Sequence, residues 1–307
     1  MKRAMMFPGQ GSQSVGMLAA LAAAEPVIGE TFSEASDTLG YDLWELCQQG
    51  PEERLSETER TQPAMLAAGI ATWRAWGRRG GPRPDILAGH SLGEYSALVA
   101  AGALDFAATV ALVRFRGEAM QRAVPPGTGA MAAILGLADE EVEKLCRRIV
   151  GVWPANYNCP GQIVVSGEHD AVEECCAEAA SLGARRAVML KVSGAFHSPL
   201  VAKAADRLRP ALERVKFSEP LSPFMSTVTA KIEPAQKVAS LLVDQLTGPV
   251  RFTQAATELI RSGATTFVEV GPGNVLSGLV KRIDRGVKTM SVNSLESLER
   301  AQDALAR

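Results

Sequence analysis

Long apolar runs, an excess of either charge and regularly spaced cysteines are all missing from this chain of 307 residues. No apolar run reaches the roughly 18 residues that a membrane span needs. The first residues, Met-Lys-Arg-Ala-Met-Met-Phe-Pro, hold no apolar stretch long enough for a secretory signal. No membrane association is expected, and the cytoplasm is the expected compartment. Lys and Arg number 32 against 34 for Asp and Glu, a net charge of −2, which argues against a dedicated nucleic-acid binder; with 47% apolar residues the chain is also no candidate for disorder. Five cysteines (Cys47, Cys146, Cys159, Cys175 and Cys176) are odd in number and lack a C-x-x-C spacing. Neither a disulfide framework nor a metal site is expected of them, and they read as reduced core thiols. Histidine is scarcer still, so any mechanism that needs an imidazole must choose among His90, His169 and His197.

What is present is an alternation of short apolar strands with helical stretches. Residues 2–7 read as a strand that stops at Pro8-Gly9-Gln10-Gly11-Ser12-Gln13, a run too rich in breakers for helix or strand. Helical periodicity covers 15–39 with a break at Pro26, and then 62–78, where Leu66, Ile70 and Trp73 share a face. A short buried strand is expected at 85–88, followed by helices over 93–101 and 106–122. From 129 to 190 the order becomes β-α-β-β-α-β, the ferredoxin-like plan, in about 60 residues. Its flanks, Pro125-Pro126-Gly127 and Ser193-Gly194, have the composition of hinges. Helices at 199–215, 239–246 and 252–261, a strand at 266–270 and a helix from Gly273 return to the larger layout. The expected fold is therefore α/β: an α/β-hydrolase-like large domain, residues 1–123 and 196–307, with a ferredoxin-like small domain, 124–195, inserted in it.

Chemistry enters at Gly89-His90-Ser91-Leu92-Gly93, between an expected strand and an expected helix. That context is what a G-x-S-x-G nucleophile elbow requires, since the glycines let strand and helix pack closely around a strained turn that thrusts the serine hydroxyl outward. Three fixed positions occur by chance in roughly one chain in ten of this length. The context therefore carries more weight than the motif, and a glycine-bracketed helix cap is the competing reading.

A serine at its free pKa is a poor nucleophile and needs a base. His90, next to Ser91, should point to the other side of the backbone as a packed elbow residue. His169 lies in the polar turn Gly167-Glu168-His169-Asp170 and reads as solvated. His197 remains, in Gly194-Ala195-Phe196-His197-Ser198-Pro199, where Ser198 resembles an N-cap and Pro199 the first helical residue. A helix N-terminus disfavours imidazolium, so His197 should stay neutral and able to accept a proton. Acyl transfer also needs donors for a developing oxyanion: the N–H of Leu92, following the nucleophile, is one, and the loop of Gly9 to Gln13 can supply another. That loop is not a nucleotide fingerprint, because Ser14 stands where G-x-G-x-x-G needs its third glycine, and no G-K-[ST] occurs.

Taken in order, Phe7-Pro8-Gly9-Gln10-Gly11-Ser12-Gln13, Gly89-His90-Ser91-Leu92-Gly93-Glu94, Arg116-Gly117 with Met120-Gln121, Gly127-Thr128-Gly129-Ala130-Met131, Asn158-Cys159-Pro160-Gly161-Gln162, Gly194-Ala195-Phe196-His197 and Val270-Gly271-Pro272-Gly273 resemble the malonyl-CoA:acyl carrier protein transacylases over nearly the whole chain. The resemblance implies a ping-pong transfer of malonyl from malonyl-CoA to the phosphopantetheine thiol of acyl carrier protein, in support of fatty-acid or polyketide synthesis. It makes Ser91 the acylated nucleophile and His197 its base. Gln10 and Leu92 would form the oxyanion hole with their N–H groups, and Arg116 would grip the malonyl carboxylate, a task that suits a planar fork of donors. Gln245 would orient His197 through its backbone carbonyl. Phe196 would crowd an α-methyl group, favouring malonyl over methylmalonyl, and Asn158 would lie on the substrate side.

Asp206, Glu213 and Glu219 follow His197 without special context, and the resemblance implies a dyad, so no third acid is named. No cofactor or metal is implied, and a monomer is expected. Two other readings remain. A thioesterase shares elbow and base but has no need of Arg116, which could equally be a solvated charge beside Arg114 and Glu118. A silent scaffold for carrier proteins would have no use for Ser91 and His197. The basic clusters Arg185-Arg186 with Lys191, and Lys281-Arg282 with Arg285, could steer an acidic partner but read equally as solvated faces.

Overall fold

The computed structural model describes residues 2–192 and 194–306. Ser193, half of the second hinge-like pair, lies outside the described residues. Ten strands occur among them: β1 (Lys2–Phe7), β2 (Ile86–Gly89), β3 (Gly129–Leu135), β4 (Val152–Cys159), β5 (Gln162–Glu168), β6 (Arg186–Met189), β7 (Phe224–Ser226), β8 (Lys231–Ile232), β9 (Ala264–Val270) and β10 (Lys288–Val292). They form two sheets. The larger has the order β10-β9-β1-β2-β7-β8 and is parallel except for the edge pair β7–β8; the smaller, β4-β5-β3-β6, is wholly antiparallel.

Helices cover both faces of the large sheet, which explains why β1 and β2 are nearly continuous apolar runs instead of alternating ones. On one side the helix Thr58–Arg78 packs against Phe106–Gln121 and Pro26–Leu39, in a core that includes Phe7, Phe32 and Trp76. Asp105 caps the helix Phe106–Gln121 by accepting the Ala108 N–H at 2.9 Å, which fixes where that helix starts and therefore which face residue 116 occupies. On the other side Phe252, Leu259, Leu276 and Val280 cover Met6, Ala88 and Phe267. None of the described helices is long and apolar enough to cross a membrane.

The small sheet has its own core with the helices Asp139–Arg148 and His169–Ser181, while Met131, Ala155 and Val164 join the main core. Backbone bonds also tie the two sheets' units together: the Val250 N–H donates to the Ala155 carbonyl at 2.8 Å, and the Tyr157 N–H to the Val250 carbonyl at 2.9 Å. The β-α-β-β-α-β order expected from the sequence is present. The short strands β7, β8 and β10 and the helices Leu43–Gln49 and Glu52–Leu55 were not expected, because segments this brief carry too little periodicity to register; the 12-residue helix Leu295–Ala306 was not expected either.

The register sets the site. β1 and β2 are neighbours from Ala4 opposite Ile86 to Phe7 opposite Gly89, so the loops that leave their carboxyl ends emerge side by side. The His90 N–H donates to the Phe7 carbonyl at 3.1 Å, tying one loop to the other strand. Crevices at the carboxyl ends of parallel strands are where open α/β sheets bind ligands.

Candidate active site

Ser91 sits at the turn between β2 and the helix Gly93–Ala100 with a φ of 51°, a left-handed conformation rare for a residue with a side chain. The flanking glycines are there for space. A Cβ on Gly89 would lie 2.0 Å from the Gly93 carbonyl carbon, and one on Gly93 would lie 2.0 Å from the Phe7 carbonyl oxygen. Strand, turn and helix are thus in backbone contact, as the elbow reading requires.

His197 stands across the crevice, also left-handed with a φ of 58°. Its Nε2 is 2.8 Å from Ser91 Oγ, and its Nδ1 is 2.7 Å from the Gln245 carbonyl oxygen. A carbonyl can only accept, so Nδ1 carries the proton and Nε2 is left to accept from the serine hydroxyl. Burial, and next the positive charge of Arg116, push the His197 pKa down to about 3. The neutral imidazole expected from the sequence is therefore found, but for a different reason. Ser198 is extended and leads into a three-residue 3-10 turn, Pro199–Val201, ahead of the helix Ala202–Glu213, and burial with Arg116 outweighs any helix dipole. Because the unfolded chain would protonate this histidine near 6.5 and the folded one near 3, its contribution to stability is full above pH 6.5 and is lost as pH falls towards 3. In an imidazole NMR titration His197 should show no protonation step between about pH 8 and 4; a step near 6.5 would contradict its burial.

Arg116 is 1% exposed, pointing inward from a helix whose surface carries the Arg114–Glu118 pair. The reading of Arg116 as a solvated charge is thereby set aside. Nη1 donates to Gln62 Oε1 at 2.9 Å, Nη2 to Gln245 Oε1 at 2.9 Å and to Ser91 Oγ at 3.3 Å, and the guanidinium carbon lies 5.4 Å from the centroid of the Tyr95 ring. Burial pulls its pKa below the usual arginine value, yet a guanidinium remains charged near neutrality. Gln245, near the end of the helix Ala235–Thr247, contributes more than its carbonyl: its Nε2 donates to Glu94 Oε2 at 2.7 Å and to the Ser91 carbonyl at 3.2 Å.

Ser91, Arg116 and His197 face a narrow cavity of about 100 Å³ whose wall also includes Gln10, Leu92 and Phe196. Asn158 is not on that wall. It is buried in β4 with its Oδ1 2.8 Å from His90 Nε2, and Asn156 is the asparagine that reaches the cavity. His90 is packed beside Phe252, with ring centroids 5.6 Å apart, but also borders the cavity. His169 is partly exposed beside Asp170 and Glu173. A larger open groove of about 1080 Å³ lies at the opposite, amino ends of the strands, lined by Arg3, Lys288 and Arg300 together with Glu296, Glu299 and Asp303.

Residues 5–305 match the acyl transferase domain family. The chain belongs to that family. Among similar proteins, the malonyl CoA-acyl carrier protein transacylase of Salmonella typhimurium is 49% identical over 296 residues, 95% of each chain. That of Bacillus subtilis is 45% identical over 99% of this chain and 97% of its own. The solved malonyl CoA-acyl carrier protein transacylase of Coxiella burnetii superimposes with a TM-score of 0.98 at 43% identity, covering 100% of this chain and 98% of that one. A malonyl-transacylase in complex with its type II PKS acyl-carrier protein matches with a TM-score of 0.97 at 48% identity, over 99% of this chain and 100% of that one. Within this acyl transferase, two residues in the site had no part in the sequence argument. Gln62 lies in the second turn of the helix Thr58–Arg78, and Glu94 stood in a quoted motif without a role. Their signal was available in principle, as polar side chains on helix faces otherwise apolar.

Proposed function

We propose that this acyl transferase moves a malonyl group from malonyl-CoA to the phosphopantetheine thiol of an acyl carrier protein, through a malonyl ester on Ser91. The observation that carries this reading is the buried Arg116 guanidinium, 3.3 Å from the nucleophilic oxygen and in the wall of the cavity. A hydrolase of neutral acyl thioesters gains nothing from a buried cation there, whereas a carboxylated acyl chain finds a charge-assisted partner.

In the first half-reaction Ser91 Oγ attacks the thioester carbonyl as its proton passes to His197 Nε2. The N–H groups of Gln10 and Leu92 steady the oxyanion, and collapse expels the coenzyme A thiolate, which takes the proton from His197. In the second, the carrier thiol gives its proton to His197 and attacks the malonyl ester, and Ser91 recovers its proton as it leaves. Each half-reaction uses the same dyad, with the Gln245 carbonyl holding the imidazole tautomer. The chemistry draws on no metal or further cofactor. Phe196 in the cavity wall narrows the space at the acyl α-carbon, which favours malonyl over methylmalonyl; Asn158 acts on the substrate side through His90.

The finer architecture belongs to this reading: an α/β-hydrolase-like large domain of residues 1–123 and 196–307, with the ferredoxin-like segment 124–195 inserted, and the acyl thioester in the cleft between them. A monomer acting in the cytoplasm on an acidic carrier protein completes it. Intact-protein mass spectrometry tests the proposal. The protein incubated with malonyl-CoA should gain one malonyl group and lose it on addition of holo carrier protein. An adduct that forms equally from acetyl-CoA and decays in buffer alone would point to a hydrolase, and no adduct to a scaffold.

A further inference from the structure

Two neutral amides, those of Gln62 and Gln245, hold the buried guanidinium of Arg116. A buried charge without a counter-charge is costly. A carboxylate bonded directly to it, however, would occupy the donors that an acyl carboxylate needs. Glu94 answers both demands. It is fully buried in the first turn of the helix Gly93–Ala100, and its Oε1 accepts both the N–H and the hydroxyl of Thr227, the latter at 2.7 Å. Its Oε2 accepts the Gln245 Nε2–H, also at 2.7 Å, which turns the Gln245 Oε1 towards Arg116.

These bonds have a direction. Thr227 and Gln245 both give to Glu94, and Arg116 gives to Gln245, so residue 94 must accept on both sides, which a carboxylate does and an amide does not. We propose that Glu94 is a positioning residue that acts as a relayed counter-charge: it locks the Gln245 amide with its oxygen on Arg116, balancing the guanidinium from one amide away and leaving its donors open to an acyl carboxylate. The inference rests on the reading of Arg116 given above. The relay also reaches the base, because the backbone carbonyl of the same Gln245 holds His197.

Among the charged and titratable groups facing Glu94 are Arg116 from the helix Phe106–Gln121 and Tyr95 from its own helix, with His197 beyond Gln245. Burial raises Glu94 to about 7 against the pull of its Thr227, Arg116 and Gln245 partners, and raises Tyr95 to about 12. With His197 down at about 3, Glu94 is the member of this cluster whose charge changes near neutrality.

The test compares Ser91 loading by malonyl-CoA and acetyl-CoA, with melting temperatures, in the full-length protein. In Glu94→Gln one amide N–H₂ must face a donor; Gln245 flips to relieve it and turns its own N–H₂ on Arg116. The malonyl-to-acetyl loading ratio should then fall at least about tenfold, and the rise of malonyl kcat/KM through about pH 7 should vanish. The double variant Glu94→Gln/Gln245→Glu restores the order of donors and acceptors from Thr227 to Arg116, at the loss of the bond from residue 245 to the Ser91 carbonyl, and seats the new carboxylate on Arg116. Its melting temperature should rise above that of Glu94→Gln while malonyl loading stays low. Equal loss of both substrates in Glu94→Gln with the pH step intact, or recovery of malonyl loading in the double variant, would overturn the relay. If Arg116→Ala leaves the malonyl-to-acetyl ratio unchanged, the reading of Arg116 itself fails, whatever the Glu94 variants do.

Discussion

Ser91→Ala is expected to form no acyl-enzyme and to lower malonyl transfer to the carrier protein by at least about 10,000-fold. The step lost is the formation of the covalent ester, and no neighbouring group replaces it: the His197 Nε2 at 2.8 Å has lost the hydroxyl it would activate, and Arg116 is a cation. The fold should survive, because serine already bears the left-handed turn at φ 51° and alanine adds no atom to it. Steady-state transfer, intact mass and a melting curve check this together. Activity within tenfold of the parent protein at an unchanged melting temperature would mean that another residue is the nucleophile.

Arg116→Ala is expected to lower kcat/KM for malonyl-CoA by about 100-fold or more, while loading from acetyl-CoA changes far less. Truncating one partner of a desolvated, hydrogen-bonded charge pair costs about 2–5 kcal/mol, and each 1.4 kcal/mol is tenfold. The acetyl group has no carboxylate to lose this partner. Arg116→Lys should recover little, since an ammonium cannot contact Gln62, Gln245 and the substrate from one plane. Removing the guanidinium also removes the second-largest cause of the low His197 pKa, so the histidine should titrate higher in this variant. A parallel fall in malonyl and acetyl loading would assign Arg116 to the architecture of the site instead of to its selectivity.

Both expectations rest on a site assembled from distant parts of the chain, and that distance governs how much of it could be read in advance. The elbow was legible because its reasons are local: Gly89 and Gly93 are required by backbone contacts within one turn and with the adjacent β1. His197 was reached by elimination among three histidines, yet its partners, Ser91 and Gln245, are 106 and 48 positions away. The reason first given for its neutrality, a helix terminus, yields to burial and Arg116, which are tertiary facts. Asn158 shows the same limit. The resemblance put it on the substrate side, but that its amide would be spent on His90 depended on how the small sheet sits over the elbow.

The sequence by itself determined the alternation of strands and helices, the β-α-β-β-α-β segment, the strained serine turn and the short list of possible bases, because each follows from periodicity, steric demand or scarcity within a few residues. The tertiary structure alone decided that Arg116 is buried while Arg114 is not and that Glu94 is bonded to Gln245, which is bonded to Arg116; the Gln245 carbonyl on the histidine entered only through the family resemblance. A backbone carbonyl has no side-chain signature, and a charged residue on a helix has the same local pattern whether its face meets water or a core. Which of the two it meets is settled only when segments as much as 154 residues apart are brought into contact.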